Sequence, residues 1–277
     1  MSNVMSLIAT GTLNKMRASL DGAVNYRLPV GEEEIDLTPF LGKTLTLTHT
    51  GNIFLLLMWK ENEKSYSQGH CFVCMKKLAS CDMCIMKPET CHYDQGTCRE
   101  PQWVEENCMV DHFVYLSNTS SLKVGITRHT QIPTRWIDQA RLRACQFLKK
   151  LRHISGLIEV ELAKHIADKT NWRTLLKGDG EPMALQDRFA ELLPLVEEKI
   201  AEIKQQFGED AIEVLNESIT DLSYPVQQHP TKITSHNFDK NPVVTGTLQG
   251  IKGQYLIFDT GVINVRKFTS YEVEVSE

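Results

Sequence analysis

The sequence lacks an apolar segment long enough to cross a membrane. Its longest apolar run, residues 53–59, has seven residues, whereas a membrane-spanning helix needs about 20. The first twelve residues also lack a basic stretch followed by an apolar one, which is the pattern of a secretory signal peptide. These absences exclude a membrane-spanning protein, and they predict a cytoplasmic chain with no membrane partner.

An overall excess of positive charge is missing as well. The chain has 30 Lys and Arg against 35 Asp and Glu, a formal net charge of -5, so it does not coat nucleic acid indiscriminately. The charge is uneven, however. Residues 122–177 carry twelve basic and four acidic side chains, a balance of +8. Nucleic-acid binding, to DNA or RNA, is therefore expected to be local and to use this segment.

Cysteine is scarce outside one short segment. Seven of the eight cysteines lie between Cys71 and Cys108, whereas a secreted disulfide scaffold is short and has cysteines along its whole length. The spacings Cys71-x2-Cys74 and Cys81-x2-Cys84 allow two sulfurs to turn onto one metal ion. The segment therefore predicts a metal site, with zinc favoured over an iron–sulfur cluster, which thiolates also bind.

The spacings leave the ligand set open. One set of four thiolates is Cys81, Cys84, Cys91 and Cys98. The alternative set is Cys71, Cys74, Cys81 and Cys84. If the first set is used, Cys71 and Cys74 need other partners, for which the candidates are His70, His92 and Cys108. Four thiolates leave no open coordination position, so the zinc is expected to be structural.

Apolar patterns predict an α+β protein. Strands are expected at 16–20, 25–28, 44–48 and 53–57, with a turn at Gly51 and Asn52, and again at 243–248, 254–259, 262–268 and 271–275. The predicted segments are an N-terminal β-rich segment (1–64), a cysteine-rich zinc module (65–111), a core (112–180), a helical connection (181–222) and a C-terminal antiparallel β unit (223–277). The last segment can pack with the first.

The core and the connection are predicted from shorter patterns. Residues 113–116 and 123–127 read as a hairpin around a polar turn. Residues 133–151 predict one amphipathic helix, because apolar residues recur there at spacings of three and four: Ile137, Ala140, Ala144, Phe147 and Leu151. A second helix buries Ile158, Leu162 and Ile166, and a third spans about 183–207.

Five positions in the core resemble the GIY-YIG nuclease superfamily. They are Val114-Tyr115 and Lys123-Val124-Gly125 on the hairpin, then Arg135, Glu159 and Asn171. That superfamily has a hairpin carrying two tyrosine motifs, a helix with an arginine, a second helix with a metal-binding glutamate, and a closing asparagine. The resemblance covers about residues 113–179 and implies a GIY-YIG-like core.

The chain also resembles an uncharacterised bacterial domain-of-unknown-function family that places a cysteine cluster before such a core. Seven segments carry this likeness: Cys81-Asp-Met-Cys84, Pro88-Glu-Thr-Cys91-His92, Gly96-Thr-Cys98-Arg99, Val114-Tyr115-Leu116, Lys123-Val-Gly-Ile-Thr-Arg128, Pro133-Thr-Arg-Trp-Ile-Asp-Gln139 and Asp168-Lys-Thr-Asn-Trp172. The likeness spans most of the chain. It implies no activity for this chain, because that family has no settled activity.

The superfamily resemblance implies a role for each matched residue. Tyr115 would be the general base, and Lys123 the cation that favours its phenolate. Arg135 would hold phosphate oxygens, Glu159 would bind one Mg²⁺ or Mn²⁺, and Asn171 would position the loop that follows it. Each residue also has an ordinary structural explanation. Tyr115 can be a half-buried strand aromatic, and Lys123 and Arg135 can be surface charges. Glu159 can be an ordinary helix carboxylate, with Glu161 as a competing metal ligand, and Asn171 can cap the next turn.

The sequence therefore predicts a nucleic-acid-binding protein, with metal-dependent phosphodiester cleavage by the core as its candidate activity. The alternative is a non-catalytic zinc-containing module that binds nucleic acid or another protein.

Overall fold

The computed structural model describes residues 6–54, 68–166, 171–215 and 218–277. Its strands are β1 (Leu7–Thr12), β2 (Arg17–Asp21), β3 (Ala23–Val30), β4 (Glu33–Asp36), β5 (Thr44–Ile53), β6 (His112–Asn118), β7 (Leu122–Arg128), β8 (Arg143–Lys150), β9 (Glu213–Val214), β10 (Thr220–Asp221), β11 (Val243–Lys252), β12 (Tyr255–Phe258), β13 (Gly261–Asn264) and β14 (Tyr271–Ser276). Its α-helices are α1 (Phe72–Lys77), α2 (Met83–Met86), α3 (Pro101–Asn107), α4 (Thr134–Asp138), α5 (Arg152–Ala163), α6 (Trp172–Leu176) and α7 (Leu185–Phe207).

The strands form three sheets, and all the paired strands in them run antiparallel. Helices and antiparallel sheets together confirm the α+β expectation. Among the residues described, none of the helices has the length and apolar character that crossing a membrane requires.

The largest sheet combines strands from both ends of the chain, in the order β1-β14-β5-β11-β12-β13. Alternating burial of side chains explains why the last segment forms a strand with one face on the core: Tyr271, Val273 and Val275 are buried, while Glu274 is exposed. Val275 pairs with Leu47 of β5, which β11 flanks on its other side. The inward-facing residues of these strands form the main apolar core.

Two details of this sheet differ from the sequence prediction. Gly51 and Asn52 lie inside β5 rather than in a turn. The strand expected at 262–268 ends at Asn264, and a 3₁₀ turn follows it over Val265–Phe268. Residues 55–57 of the predicted strand 53–57 lie outside the described residues. A smaller sheet, β2-β3-β4, also contributes to the main core.

The central sheet has the order β10-β8-β6-β7, with β9 also paired to β8. The predicted hairpin is confirmed as β6 and β7, in which Tyr115 faces Gly125 and Ser117 faces Lys123. Strand β7 is at the edge of the sheet, so its backbone and both of its faces can meet other parts of the chain.

The helix predicted at 133–151 is wrong. The structure has the five-residue helix α4, a left-handed residue at Ala140 (φ 52°) and then strand β8. Both faces of β8 are covered, so Ala144, Cys145, Phe147 and Leu148 are all buried. Such a strand has apolar residues in adjacent pairs, and within a few turns these pairs also satisfy a helical period.

The other two predicted helices are confirmed as α5 and α7, which pack on one face of the central sheet. Helix α5 buries Ile158 and Leu162, while Ile166 is buried just beyond its last turn. Helix α7 continues through Pro194. The ring of Phe189 in α7 stacks on Phe147 of β8, with 4.1 Å between ring centroids. These contacts fix α5, which carries Glu159, against the sheet.

Candidate functional site

The cysteine-rich segment contributes few apolar side chains to its own packing. Its helices α1 and α2 have six and four residues, and among its described residues the buried members of its apolar cluster are Ala79, Val104 and Cys108. A segment with so small a core needs an additional source of stability, such as a metal ion or a neighbouring domain.

Four thiols of this segment line one small cavity. They belong to Cys84, Cys91, Cys98 and Cys108. The unfilled volume that a water molecule can reach is about 10 Å³, which admits about one water molecule or metal ion. Two further polar side chains, Asp82 and His92, line the same cavity. The ligand atoms of Asp82, Cys84 and His92 lie within 4.8 Å of one another, so this group could hold a metal ion.

Two thiols of this cavity, those of Cys84 and Cys108, hold their protons at neutral pH. Burial, reinforced by Asp82 and by the other thiols, raises the pKa of Cys84 to about 11. Burial also raises the pKa of Cys108. A metal ion binds thiolate rather than thiol, so binding here has to displace protons.

The remaining cysteines of the predicted site lie apart from this cavity. The sulfurs of Cys71 and Cys74 are 3.5 Å from each other, and the amide of Cys74 donates to the Cys71 sulfur at 3.4 Å. Cys81 does not line the cavity. The hydrogen bond between the Cys71 and Cys74 side chains, with burial, raises the pKa of Cys74. Three of the six predicted ligands, Cys84, Cys91 and Cys98, thus line one cavity with Cys108 as the fourth thiol, although no three of these four sulfurs lie within 4.8 Å of one another.

A second site is a cleft with about 220 Å³ open to water. Three of the five predicted catalytic residues line it: Tyr115 from β6, Arg135 from α4 and Glu159 from α5. The edge strand β7 forms its floor with Val124, Gly125 and Ile126, and the cysteine-rich segment contributes Ile85, Met86 and Pro88 to its wall. Gln139, Arg141 and Arg152 complete the lining.

The phenol of Tyr115 is held in place by its neighbours. Its hydroxyl donates to Gln139 Oε1 at 2.9 Å, and the same oxygen accepts from Arg141 Nη2 at 2.7 Å. The ring lies across Gly125, where an added Cβ would come within 2.7 Å of the phenol oxygen. A glycine inside a strand often marks such a close approach, and this was the available sequence signal for the arrangement.

Lys123 and Asn171 do not line the cleft. The side chain of Lys123 is 1% exposed, on β7 two residues before Gly125. Asn171 is exposed and caps helix α6, where its side-chain oxygen accepts from the amide of Arg173 at 3.0 Å. The structure therefore shows the capping role that was the ordinary explanation for Asn171.

The cleft has an excess of positive charge. Three guanidinium groups, those of Arg135, Arg141 and Arg152, line it together with one carboxylate, that of Glu159. Arg135 makes no ion pair or side-chain hydrogen bond within the described ranges. Its guanidinium is thus available to an anion, and the bidentate geometry of arginine suits phosphate.

Arg152 connects the cleft to the thiol cavity, since it lines both. Its Nη2 donates to the carbonyl of Ile85 at 2.6 Å, and its Nη1 donates to His112 Nε2 at 3.3 Å. Burial lowers the pKa of His112 to about 4, so this imidazole is neutral at pH 7 and can accept. One turn later, an added Cβ on Gly156 would lie 2.7 Å from Pro88 Cβ. Helix α5 and the cysteine-rich segment are therefore in direct contact.

A model of the family described as "Protein of unknown function (DUF2797)" matches residues 42–273. That match covers most of the chain, including the cysteine-rich segment and every residue of the cleft. No curated protein and no solved structure matches the chain significantly.

Proposed function

The chain belongs to the DUF2797 family of proteins of unknown function, and since that membership assigns no activity, we propose one from the chemistry of the cleft. The proposal is that the protein binds nucleic acid there and cleaves a phosphodiester bond with the help of Mg²⁺ or Mn²⁺. The observation that supports it is the convergence of Tyr115, Arg135 and Glu159 in one positively charged cleft.

The order of the elements supports a GIY-YIG-like core. Along the chain, the β6–β7 hairpin with Tyr115 comes first, the helix with Arg135 second, and the helix with Glu159 third. This is the order described for the resembling superfamily. The third strand of the sheet, β8, lies between these two helices along the chain.

Each residue of the cleft has a task in this proposal. Arg135 binds phosphate oxygens, and Arg141 adds positive charge beside Tyr115 while it fixes Gln139. Because the Tyr115 hydroxyl donates a hydrogen bond to Gln139 Oε1, the lone pairs of the phenol oxygen are left to orient an attacking water. A divalent ion bound by Glu159 would supply Lewis-acid stabilisation of the phosphate. Lys123 and Asn171 have no task at the cleft, because neither lines it.

The proposal also includes a structural zinc ion in the cysteine-rich segment. The four thiols at one cavity and the small apolar cluster beside them support it. Thiolates prefer zinc among the abundant divalent ions, and zinc with four thiolates has no open position for catalysis. The zinc would hold the wall of the cleft to which Ile85, Met86 and Pro88 contribute.

The first test measures binding of labelled duplex DNA, single-stranded DNA and RNA from low to physiological salt. We expect affinity for at least one of them to fall steeply with salt, because phosphate contacts release counterions. Arg135→Met should weaken binding and reduce the salt slope by about one. Arg188→Met is the matched control, because Arg188 pairs with Glu191 on helix α7, away from the cleft. Absence of binding to all three at low salt would refute the proposal.

The second test measures cleavage of the bound substrate with Mg²⁺ or Mn²⁺. We expect Glu159→Gln to abolish turnover and to leave binding nearly unchanged, because a metal ligand stabilises the transition state more than the bound substrate. The control is Glu161→Gln, since Glu161 pairs with Lys164 and lies about 200° around the helix from Glu159. Equal loss in both variants would contradict the assignment.

A non-catalytic nucleic-acid-binding module is the second candidate function. The observation that favours it is the location of Lys123 and Asn171 outside the cleft, which leaves the superfamily pattern incomplete. Binding without cleavage, in the wild-type protein with either metal and on linear and branched substrates, would select this alternative.

A further inference from the structure

The four thiols of the cavity come from four separate places in the chain. Cys84 is in helix α2, Cys91 follows the 3₁₀ turn Pro88–Thr90, Cys98 lies in the loop before helix α3, and Cys108 ends that helix. Their sulfur atoms make no hydrogen bond within the part of the chain that the structure describes. Four such cysteines line one cavity of ion size, but no three of their sulfurs lie within 4.8 Å of one another, so a metal ion has to draw the sulfurs together on binding.

The other candidate ligands around the cavity already have partners. The carboxylate of Asp82 accepts from Arg99 Nε at 2.6 Å, and His92 Nδ1 is 2.7 Å from the hydroxyl of Thr97. Cys81, which the CxxC spacing pairs with Cys84, is outside the cavity. The cysteines that line the cavity and whose sulfurs make no hydrogen bond among the described residues are therefore Cys84, Cys91, Cys98 and Cys108.

An arginine that also lines the cavity lacks a negative partner. Arg152 has no ion pair with a carboxylate among the described residues, and its Nε is shielded from solvent without a hydrogen bond. A charge in such surroundings is costly unless an opposite charge compensates it. Four thiolates and one divalent ion together carry a net charge of -2. Such a centre in this cavity would lie beside the Arg152 guanidinium and compensate its positive charge.

We propose that Cys84, Cys91, Cys98 and Cys108 bind one divalent metal ion of the zinc class as four thiolates, with the Arg152 guanidinium as their counter-charge. On binding, the four thiol protons are released to solvent. The inference deepens the zinc part of the proposed function by naming its ligands, and it holds whether or not the cleft cuts nucleic acid.

The position of Arg152 gives this centre a role at the cleft. Arg152 and Glu159 are seven residues apart on helix α5, which is nearly two turns, so both project from the same face. Between them, Gly156 packs on Pro88, three residues before the ligand Cys91. The metal centre thus holds the start of the helix that presents Glu159.

The decisive experiment maps thiol alkylation by mass spectrometry on the full, zinc-loaded chain. In the Cys108→Ser variant we expect Cys84, Cys91 and Cys98 to become reactive together and one metal equivalent to be lost. In the matched Cys81→Ser variant these three thiols should stay protected. The opposite pattern, with protection lost in Cys81→Ser and kept in Cys108→Ser, would overturn the proposed ligand set.

A measurement on the wild-type chain covers the case in which Cys108→Ser does not fold. During slow zinc removal by a chelator, Cys84, Cys91, Cys98 and Cys108 should become reactive in one kinetic phase. Exposure of Cys81 in that same phase, with Cys108 in another, would overturn the assignment. Replacement of zinc by Co²⁺ should give the absorption of tetrahedral cobalt with four thiolates. A spectrum of mixed oxygen, nitrogen and sulfur ligands would favour Asp82 and His92 instead.

The counter-charge is tested by Arg152→Met, with Arg188→Met as the control. Loss of a charge that supports metal ligands typically costs 10–100-fold in affinity, so zinc transfer to a chelator should become at least tenfold more favourable in the first variant and unchanged in the second. Equal affinities would refute the role of Arg152. None of these readouts uses a nuclease assay. A negative result here would therefore refute the metal ligand set without bearing on the proposed nucleic-acid cleavage in the cleft.

Discussion

Gly125→Ala is expected to disturb the cleft through the phenol that lies across this glycine. The added Cβ would be 2.7 Å from both the Cζ and the hydroxyl oxygen of Tyr115, well inside ordinary van der Waals contact. Tyr115 is 1% exposed and packs edge-on against Trp136, with 5.9 Å between ring centroids. The ring therefore cannot move aside without losing its hydrogen bond to Gln139.

Three terms set the size of the effect. Overpacking a buried site costs about 1–3 kcal/mol, and loss of the hydrogen bond costs about 0.5–1.5 kcal/mol. Replacing glycine by alanine restricts the unfolded chain, which returns about 0.4–1 kcal/mol. The free energy of unfolding should therefore fall by about 2 kcal/mol in the Gly125→Ala variant.

Urea unfolding followed by circular dichroism measures this change. Gly178→Ala is the control, because a Cβ at Gly178 meets no atom within 4 Å, so its stability should be unchanged or slightly raised. In a Tyr115→Leu background the obstructing phenol is absent, and adding Gly125→Ala should then cost less than about 0.5 kcal/mol. The reasoning is refuted if Gly125→Ala is as well tolerated as Gly178→Ala.

Two further predictions concern the contact between the cysteine-rich segment and helix α5. Gly156→Ala places a Cβ 2.6 Å from the amide of Glu89; it should loosen the segment and speed hydrogen exchange of residues 84–91 at least tenfold. Burial holds the pKa of His112 at about 4, below its ordinary 6.5, so the unfolded chain binds more protons and stability falls as pH drops from 6.5 to 4, by roughly 3 kcal/mol in all. Denaturation midpoints should lose this slope in His112→Gln but keep it in the control His165→Gln, at an exposed histidine.

Local pattern was sufficient for elements with one buried face. Strand β14 alternates inward-facing Tyr271, Val273 and Val275 with exposed Glu274, which is the period of a strand. Helix α7 repeats its apolar residues over 23 positions, which is long enough to distinguish the period of a helix. Strand β8 has both faces buried, and its apolar pairs fit two periods. Its partners β6, β9 and β10 decide between these periods, and all three lie far away in sequence.

The candidate site was predictable in part for a similar reason. Tyr115, Arg135 and Glu159 were identified through a resemblance, because type and order along the chain suffice for that. Gln139 and Arg141 enter the cleft only because α4 ends at a left-handed residue and β8 turns back. The CxxC spacing shows that two sulfurs are able to meet at one metal. It does not show the path of the loops, which brings Cys108 rather than Cys81 to the cavity.

The largest sheet has a consequence for how the protein is made. Strand β5 lies between β14 and β11, and 189 residues lie between the end of β5 and the start of β11. At roughly 5–20 residues per second, a ribosome needs about 10–40 s to synthesise that interval. During this time both edges of β5 are unpaired, and they can contact other nascent chains or chaperones. The hairpin and helix α5 are complete long before, so the cleft has all its residues while the largest sheet still lacks four of its six strands.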